Sequence, residues 1–177
     1  MAIQKPFNLQ KWIKDNRDLL KPPVGNKNLY VKAGDFIVMI VGGPNARKDY
    51  HYNETEELFY QLEGNICVRI QEEGKPVDIE LGPGDMFLLP GKTPHSPMRT
   101  ENSIGLVIEK VRSGNEKDGL MWFCDHCNNK LHETYFSLTN IENDFLPRFQ
   151  EFYESEHLRT CNECGTVMET DERFVKR

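Results

Sequence analysis

Residues 49–64, DYHYNETEELFYQLEG, combine a β-rich run with two side chains that suit a metal ion. His51 precedes Glu57 by six residues, and the intervening 53–55, Asn-Glu-Thr, predicts a turn. A second imidazole, His95, follows in LPGKTPHSPMR. Two histidines and one carboxylate leave coordination positions open, although these residue types suit Fe(II), Ni, Mn and Zn alike. Taken singly, each residue also fits a structural role on a barrel surface.

Short apolar runs continue on both sides of this stretch, separated by Gly- and Pro-containing turns. They cover residues 29–31, 36–41, 58–60, 66–70, 77–81, 86–89 and 104–108. In the run 77–81, apolar and polar residues alternate strictly, as expected for a half-buried strand. Many short strands without intervening helices predict an all-β fold, either a sandwich or a jelly-roll barrel.

The two ends of the chain have helical patterns instead. Asn8 is a candidate N-cap for a short helix that places Leu9, Trp12 and Ile13 on one face. Near the C-terminus, apolar residues recur at helical spacing from residue 140 to 157. We predict an amphipathic helix there, interrupted or restarted at Pro147.

Four of the five cysteines form two C-x-x-C pairs, Cys124/Cys127 and Cys161/Cys164. In a chain without an evident export signal, this spacing favours thiolate metal ligation over disulfides. Four thiolates complete a tetrahedral site with no vacancy for substrate, so the site would be structural or serve electron transfer, and it would hold iron or zinc. We therefore predict two parts: a catalytic barrel with its N-terminal helix over residues 1–112, and a metal-stapled C-terminal segment over residues 113–177, packed on the barrel.

The overall composition limits the partners. A formal net charge of −6 argues against general nucleic-acid binding, which needs an excess of Lys and Arg. No apolar run is long enough for a membrane span, and the start, MAIQKPFNLQKW, lacks the apolar core of a signal peptide. We expect a cytoplasmic protein that binds neither nucleic acid nor membrane.

The spacing of these residues resembles the two motifs of the cupin family. The first motif is matched by His51, Glu57 and Gly64, and the second by Gly84, Pro90 and His95. The chain departs from the family pattern at Asn53, where a second histidine would stand, at Lys92, where a glycine is usual, and at Arg99, where an asparagine is usual. The resemblance implies a cupin-type jelly-roll barrel whose metal site has lost one imidazole.

Longer segments resemble the 3-hydroxyanthranilate 3,4-dioxygenase family, in the form that carries a rubredoxin-like four-cysteine site. They are PPVGNK (22–27), ARKDYHYNETEELFYQLEG (46–64), LLPGKTPHSPMR (88–99) and GLVIEK (105–110). The resemblance implies Fe(II)-dependent opening of the ring of 3-hydroxyanthranilate by O₂, giving 2-amino-3-carboxymuconate semialdehyde on the kynurenine route to quinolinate and NAD. It also implies catalytic iron on His51, Glu57 and His95.

The same resemblance implies the substrate contacts. Arg47, Arg99 and Glu109 would be catalytic residues that also bind substrate, joined by Glu57 and Asn26. An arginine can grip a carboxylate through two parallel hydrogen bonds, and one arginine can instead stabilise charge on reduced oxygen. Without the family, Arg47, Arg99 and Glu109 would be interpreted as solvated or ion-paired residues.

Two alternatives stay open at this point. The iron site can serve another substrate, such as a catechol, a different aminophenol or a thiol acid. The cupin can also be a metal-dependent sensor or storage module with no catalytic turnover. A homodimer is expected because barrels of this type often bury an edge strand between two copies.

Overall fold

The computed structural model describes residues 5–21, 25–139 and 141–176, with the backbone alone for residues 141–143. The helices are α1 (Leu9–Asp15), α2 (Ile141–Glu154) and α3 (Glu156–Arg159), with 3-10 turns at Arg17–Leu20 and Glu172–Phe174. The strands are β1 (Asn26–Asn28), β2 (Phe36–Gly42), β3 (Asp49–Tyr52), β4 (Glu57–Glu63), β5 (Ile66–Glu72), β6 (Lys75–Leu81), β7 (Met86–Leu89), β8 (His95–Arg99), β9 (Ile104–Lys110), β10 (Asp118–Phe123) and β11 (Lys130–Phe136). No helix within the described ranges is both long and apolar enough to cross a membrane.

The strands form two antiparallel sheets, with strand orders β1-β2-β9-β4-β7 and β11-β10-β3-β8-β5-β6. Most neighbours in the sheets are distant in sequence: Phe36 of β2 pairs with Lys110 of β9, and Ile70 of β5 pairs with His95 of β8. These non-local pairings wrap the chain into the two layers of a jelly roll. The predicted all-β, cupin-type barrel is confirmed.

The barrel interior is filled by alternate residues of facing strands. On β4 and β5 buried positions alternate with less buried ones, because successive side chains point to opposite faces of a sheet. The inward residues form one apolar cluster that includes Phe59, Ile66, Val68, Leu89 and Val107. This apolar cluster packs beside the inward polar residues of the same strands.

The predicted N-terminal helix is present as α1. The Asn8 side-chain oxygen accepts a hydrogen bond from the Lys11 backbone N–H at 2.8 Å, which caps the helix as expected. Its buried residue, Ile13, packs with Leu20, Ile40 and Ile104. The N-terminal segment therefore closes the barrel against β2 and β9.

Two expectations were wrong. Residues 29–31 form no strand; the first strand is β1, and Val31 is 82% exposed, since the Ala33 N–H bonds the Tyr30 carbonyl in a turn. The predicted interruption at Pro147 is also absent, because α2 runs through it. A proline costs the helix one backbone hydrogen bond, and burial of the helix's apolar face outweighs that loss.

The C-terminal residues add strands as well as helices. β10 pairs with β3 on one side and with β11 on the other, so it extends the second sheet. Helix α2 lies on this extension, where Trp122 stacks on Phe152 with ring centroids 4.3 Å apart. The division after residue 112 stays a prediction.

The Trp122→Ala variant should show how much the helix-covered extension contributes to stability. Trp122 is fully buried, so its loss leaves a large cavity, and we expect the free energy of unfolding to fall by about 3–5 kcal/mol. Urea denaturation measures this change. Tyr135→Ala, which removes an aromatic ring that is 49% exposed on the neighbouring strand, is the control and should cost less than about 1 kcal/mol.

Candidate metal centre and active site

The three predicted metal-binding side chains lie at inward-facing positions that are close together in space. His51 on β3 and His95 on β8 are register partners, while Glu57 opens β4 after the predicted turn. In that turn the Thr55 backbone N–H bonds the Asn53 side-chain oxygen at 3.0 Å. The Asn53 side-chain amide also lies 3.4 Å from Glu57 Oε2. The asparagine that replaces a cupin histidine thus holds the bend and contacts the carboxylate.

The three side chains meet at one point inside the barrel. Each offers one donor atom, and the donor atoms all lie within 4.8 Å of one another. His95 Nε2 lies 3.0 Å from Glu57 Oε2, and both side chains are buried. This spacing matches donors that surround one ion.

Each imidazole is oriented by an acceptor on its outer side. His95 Nδ1 lies 3.0 Å from the Thr93 carbonyl, and His51 Nε2 lies 2.7 Å from Asp118 Oδ2. A neutral imidazole has one N–H and one lone pair, so donation to these acceptors leaves the other ring nitrogen free to bind a metal.

The protonation states also suit a metal. Burial lowers the pKa of His51, although Asp118 opposes this, and the net shift favours the neutral imidazole. Burial acts to raise the pKa of Glu57, but the neighbouring His95 and His51 outweigh it and the net shift is downward. A neutral imidazole and an ionised carboxylate are the forms that bind metal ions.

A cavity of about 250 Å³ lies beside Glu57. Four residues predicted to bind substrate line it: Asn26, Arg47, Glu57 and Arg99. Its apolar wall includes Met39, Val41, Phe59 and Val107. The cavity thus places apolar side chains and two guanidinium groups beside the carboxylate of Glu57, a predicted metal ligand.

Arg99 is 5% exposed, and its Nη1 has no hydrogen-bond partner within the described part of the chain. Burial lowers the pKa of this guanidinium to about 10, with Glu57 opposing the shift, so it stays charged at pH 7. A buried charge is costly unless an opposite charge meets it. Arg99 is therefore placed to receive an anionic group entering the cavity.

Arg47 lines the same cavity but already has a partner. Its guanidinium forms an ion pair with the buried Asp49, with Nε 3.3 Å from Oδ1 and Nη2 in close contact with Oδ2. A ligand carboxylate that binds Arg47 would have to compete with this aspartate.

Glu109 faces Glu57 across β4 and β9, and it is not among the described residues that line the cavity. Its carboxylate accepts a hydrogen bond from Arg112 Nη1 at 2.6 Å. Burial raises the pKa of Glu109 to about 7; the charge of Glu57 adds to this effect and Arg112 opposes it.

Two residues of this site escaped the sequence analysis. Arg112 and Asp118 lie at the two ends of the polar stretch SGNEK, residues 113–117. The only available signal was Asp118 itself, an acidic residue two positions before the apolar run LMWF at 120–123. The structure buries both side chains, and Arg112 binds the carboxylates of Glu109 and Asp118.

The buried cluster carries an excess of negative charge. Three acidic side chains, on Glu57, Glu109 and Asp118, face two guanidinium groups, on Arg99 and Arg112, and Glu109 is ionised only in part at pH 7 because its pKa lies near 7. A divalent cation between the two histidines and Glu57 would offset this excess. The residues present therefore fit a metal ion.

The four predicted cysteines also meet. Their sulfur atoms lie within 4.8 Å of one another; Cys124 and Cys164 are 3.6 Å apart, and Cys127 and Cys161 are 3.5 Å apart. These distances are far longer than an S–S bond. Hydrogen bonds centred on Thr166 lower the pKa of Cys164 to about 5, so this thiol is ionised at neutral pH. Four sulfurs this close together fit the donor set of a structural tetrahedral metal site.

A jelly roll with its metal donors on the inner strand faces is a metal-dependent protein of the cupin class. Comparison with known sequences is more specific. A family model described as 3-hydroxyanthranilic acid dioxygenase matches residues 1–153, and the chain belongs to this family. The match covers the barrel, the candidate metal centre and most of α2.

Named relatives agree with the family. The 3-hydroxyanthranilate 3,4-dioxygenase of Xanthomonas euvesicatoria pv. vesicatoria is 54% identical and covers 96% of each chain. The enzyme of the same name from Candida albicans is 44% identical over 94% of this chain and 96% of its own. Among solved structures, a cupin-2 domain protein from Shewanella frigidimarina matches 59% of this chain and all of its own, with 20% identity and a TM-score of 0.46.

Proposed function

We propose that His51, Glu57 and His95 bind the Fe(II) ion of this dioxygenase, and that Arg99 receives the substrate carboxylate beside it. As a member of its family, the chain opens the ring of 3-hydroxyanthranilate with O₂ to give 2-amino-3-carboxymuconate semialdehyde, on the route to quinolinate and NAD. The observation that carries the residue assignments is the buried guanidinium of Arg99, whose Nη1 has no hydrogen-bond partner among the described residues, in a cavity that shares Glu57 with the three-donor cluster.

The ion and the protein have separate tasks. When bound, ferrous iron holds the aromatic ring and O₂ close together and transfers electron density between them. The protein supplies orientation: the apolar wall of Phe59 and Val107 packs against the ring, while Arg99 fixes its carboxylate. Asn26, on β1, lines the same cavity and is a further proposed substrate contact.

Glu109 completes the proposed catalytic set by handling a proton. A carboxyl group with a pKa near 7 can accept and release a proton at neutral pH. In this proposal Glu109, the register partner of Glu57, would accept the proton that the substrate hydroxyl gives up. Arg47 is the second cation for substrate or oxygen, once its pairing with Asp49 is exchanged for the ligand.

The direct test is ring opening by the purified protein with Fe(II) and 3-hydroxyanthranilate in air. The product chromophore and dissolved O₂ should change together, with one O₂ consumed for each ring opened. A protein that binds iron but neither consumes O₂ nor forms the chromophore would overturn the proposal and favour a sensor or storage role.

The Arg99→Lys variant tests the carboxylate contact. A lysine keeps the charge but cannot form the two-pronged contact, so we expect kcat/KM for 3-hydroxyanthranilate to fall about 10²-fold. With 2-aminophenol, which has no carboxylate, wild type and variant should differ little. Arg69→Lys, at an exposed Arg–Asp pair on the outer face, is the matched control. An equal loss on both substrates would contradict the assignment.

We also propose a metal for the four-cysteine site and a cellular location for the enzyme. Iron or zinc on the four cysteines would staple residues 113–177 onto the barrel of residues 1–112. Since the thiols must stay reduced to bind metal, the cytoplasm is the proposed location.

A homodimer is proposed for the outer face of the first sheet. Phe36, Met86 and Leu88 are each more than half exposed there, and an exposed apolar face of this kind favours a protein contact. The molecular mass of the protein in solution tests this proposal.

A further inference from the structure

We propose that Arg112 and Asp118 form a clamp that positions His51 and Glu109, and that this clamp sets the metal affinity of the catalytic site. Neither residue binds the metal or the substrate; both act through residues that do. The inference rests on the proposed function, since it takes His51 as a metal ligand.

The clamp is defined by hydrogen bonds that meet at two side chains. Arg112 holds Asp118 with a two-pronged contact: Nε lies 2.9 Å from Oδ1, and Nη2 lies 2.6 Å from Oδ2. The same Oδ2 lies 2.7 Å from His51 Nε2. The remaining guanidinium nitrogen, Nη1, donates to Glu109 at 2.6 Å and to the Lys110 carbonyl at 3.2 Å. Arg112 thus connects Asp118, the hydrogen-bond partner of the proposed metal ligand His51, to Glu109, the proposed proton carrier.

The backbone explains why these residues can meet. Glu109 lies near the end of β9, and Asp118 opens β10, which pairs with the strand of His51 through Leu120. The loop between β9 and β10 crosses from one sheet to the other, so Arg112 bridges the two layers of the barrel. Arg112 therefore fixes the distance between His51 on the second sheet and Glu109 on the first sheet.

Burial makes the contacts strong and specific. The side chains of Arg112, Asp118 and Glu109 are 8%, 1% and 4% exposed. Charged hydrogen bonds shielded from water hold their partners in narrow geometries. An Arg–carboxylate pair that served stability alone would not need its second oxygen directed at an imidazole N–H.

The contact between Asp118 and the His51 imidazole should affect metal affinity. A carboxylate that accepts the outer N–H of a ligand histidine fixes the ring and makes its other nitrogen a better donor. Loss of such a partner typically weakens metal binding about 10–100-fold. Asp118 should therefore control affinity, whereas Arg112 should control both affinity and the position of Glu109.

The test is a metal titration of the Asp118→Asn variant, which keeps the shape of the side chain and removes its charge. Cobalt(II) is the probe, because thiolate-bound cobalt has intense charge-transfer absorption that nitrogen and oxygen ligands do not produce. After dialysis against a chelator, we expect the Kd of the histidine–glutamate site to rise about 10–100-fold, with a shifted cobalt spectrum. The four-cysteine site should keep its affinity and serves as the internal control.

Two further variants separate positioning from folding. Arg112→Lys keeps one charge but loses the two-pronged contact, so we expect a smaller rise in the cobalt Kd and a drop in kcat with little change in KM. Asp78→Asn removes a similar Arg–carboxylate contact on the exposed outer face and should change neither site.

The outcomes discriminate between the proposals. A wild-type affinity and spectrum in Asp118→Asn would overturn the clamp while leaving the proposed function intact, and so would equal weakening of both metal sites. If wild-type protein itself binds no cobalt at the histidine–glutamate site, the proposed function fails first, and the clamp fails with it.

Discussion

The Glu57→Gln variant should lose nearly all ring-opening activity and most of its catalytic iron. The carboxylate is the only anionic donor among the three residues, and a neutral amide is a poor ligand for Fe(II). The metal contributes several kcal/mol to the reaction, so we expect kcat to fall by about 10³-fold or more. Iron analysis and O₂ consumption, measured on the same preparation, check this result.

The matched control for this experiment lies on the same strand. Glu63 ends β4 and forms an exposed ion pair with Arg17, so Glu63→Gln should keep its iron and its activity. A Glu57→Gln protein that retained full iron and normal turnover would exclude Glu57 as a ligand. Loss of folding is not expected, because the amide has the size of the carboxyl group it replaces.

The Cys161→Ser variant should be much less stable than wild type. Cys161 is 2% exposed, and its sulfur belongs to the closed four-donor set, whose binding energy becomes folding energy. Loss of one thiolate should lower the free energy of unfolding by at least about 3 kcal/mol. Chemical denaturation, with the metal content determined for each sample, measures the change.

A second cysteine supplies the control, because Cys67 lies on β5 outside the cluster. Cys67→Ser should keep both its stability and the second metal. If residues 113–177 form the proposed stapled segment, limited proteolysis of Cys161→Ser should cleave within that range before it cleaves the barrel. Uniform cleavage of the whole chain would contradict the division at residue 112.

Local pattern and spacing carried much of the prediction. The alternation at 77–81 and the cap at Asn8 depend on near neighbours, and each agrees with the structure as strand β6 and helix α1. The turn at Asn53, between two donors six residues apart, is equally local. The four-cysteine site could be predicted from sequence because each C-x-x-C brings two thiolates together through local backbone geometry alone.

The missed features depend on distant partners. Arg112 and Asp118 become meaningful only when β10 pairs with β3, a registry that no short window of sequence contains. The same applies to Pro147, where packing of α2 against Trp122 outweighs a local rule, and to residues 29–31, where β-branched and aromatic residues lie in a turn. Tertiary contacts decide such positions, and propensity does not.

We propose that His51, Glu57 and His95 together hold the iron at which the ring is opened. Anomalous diffraction at the iron edge, from crystals shown to turn over substrate, tests this claim directly. We expect an iron peak about 2.0–2.2 Å from the three donors, with the substrate carboxylate at Arg99 after soaking. Active crystals with no iron between these three side chains would contradict it.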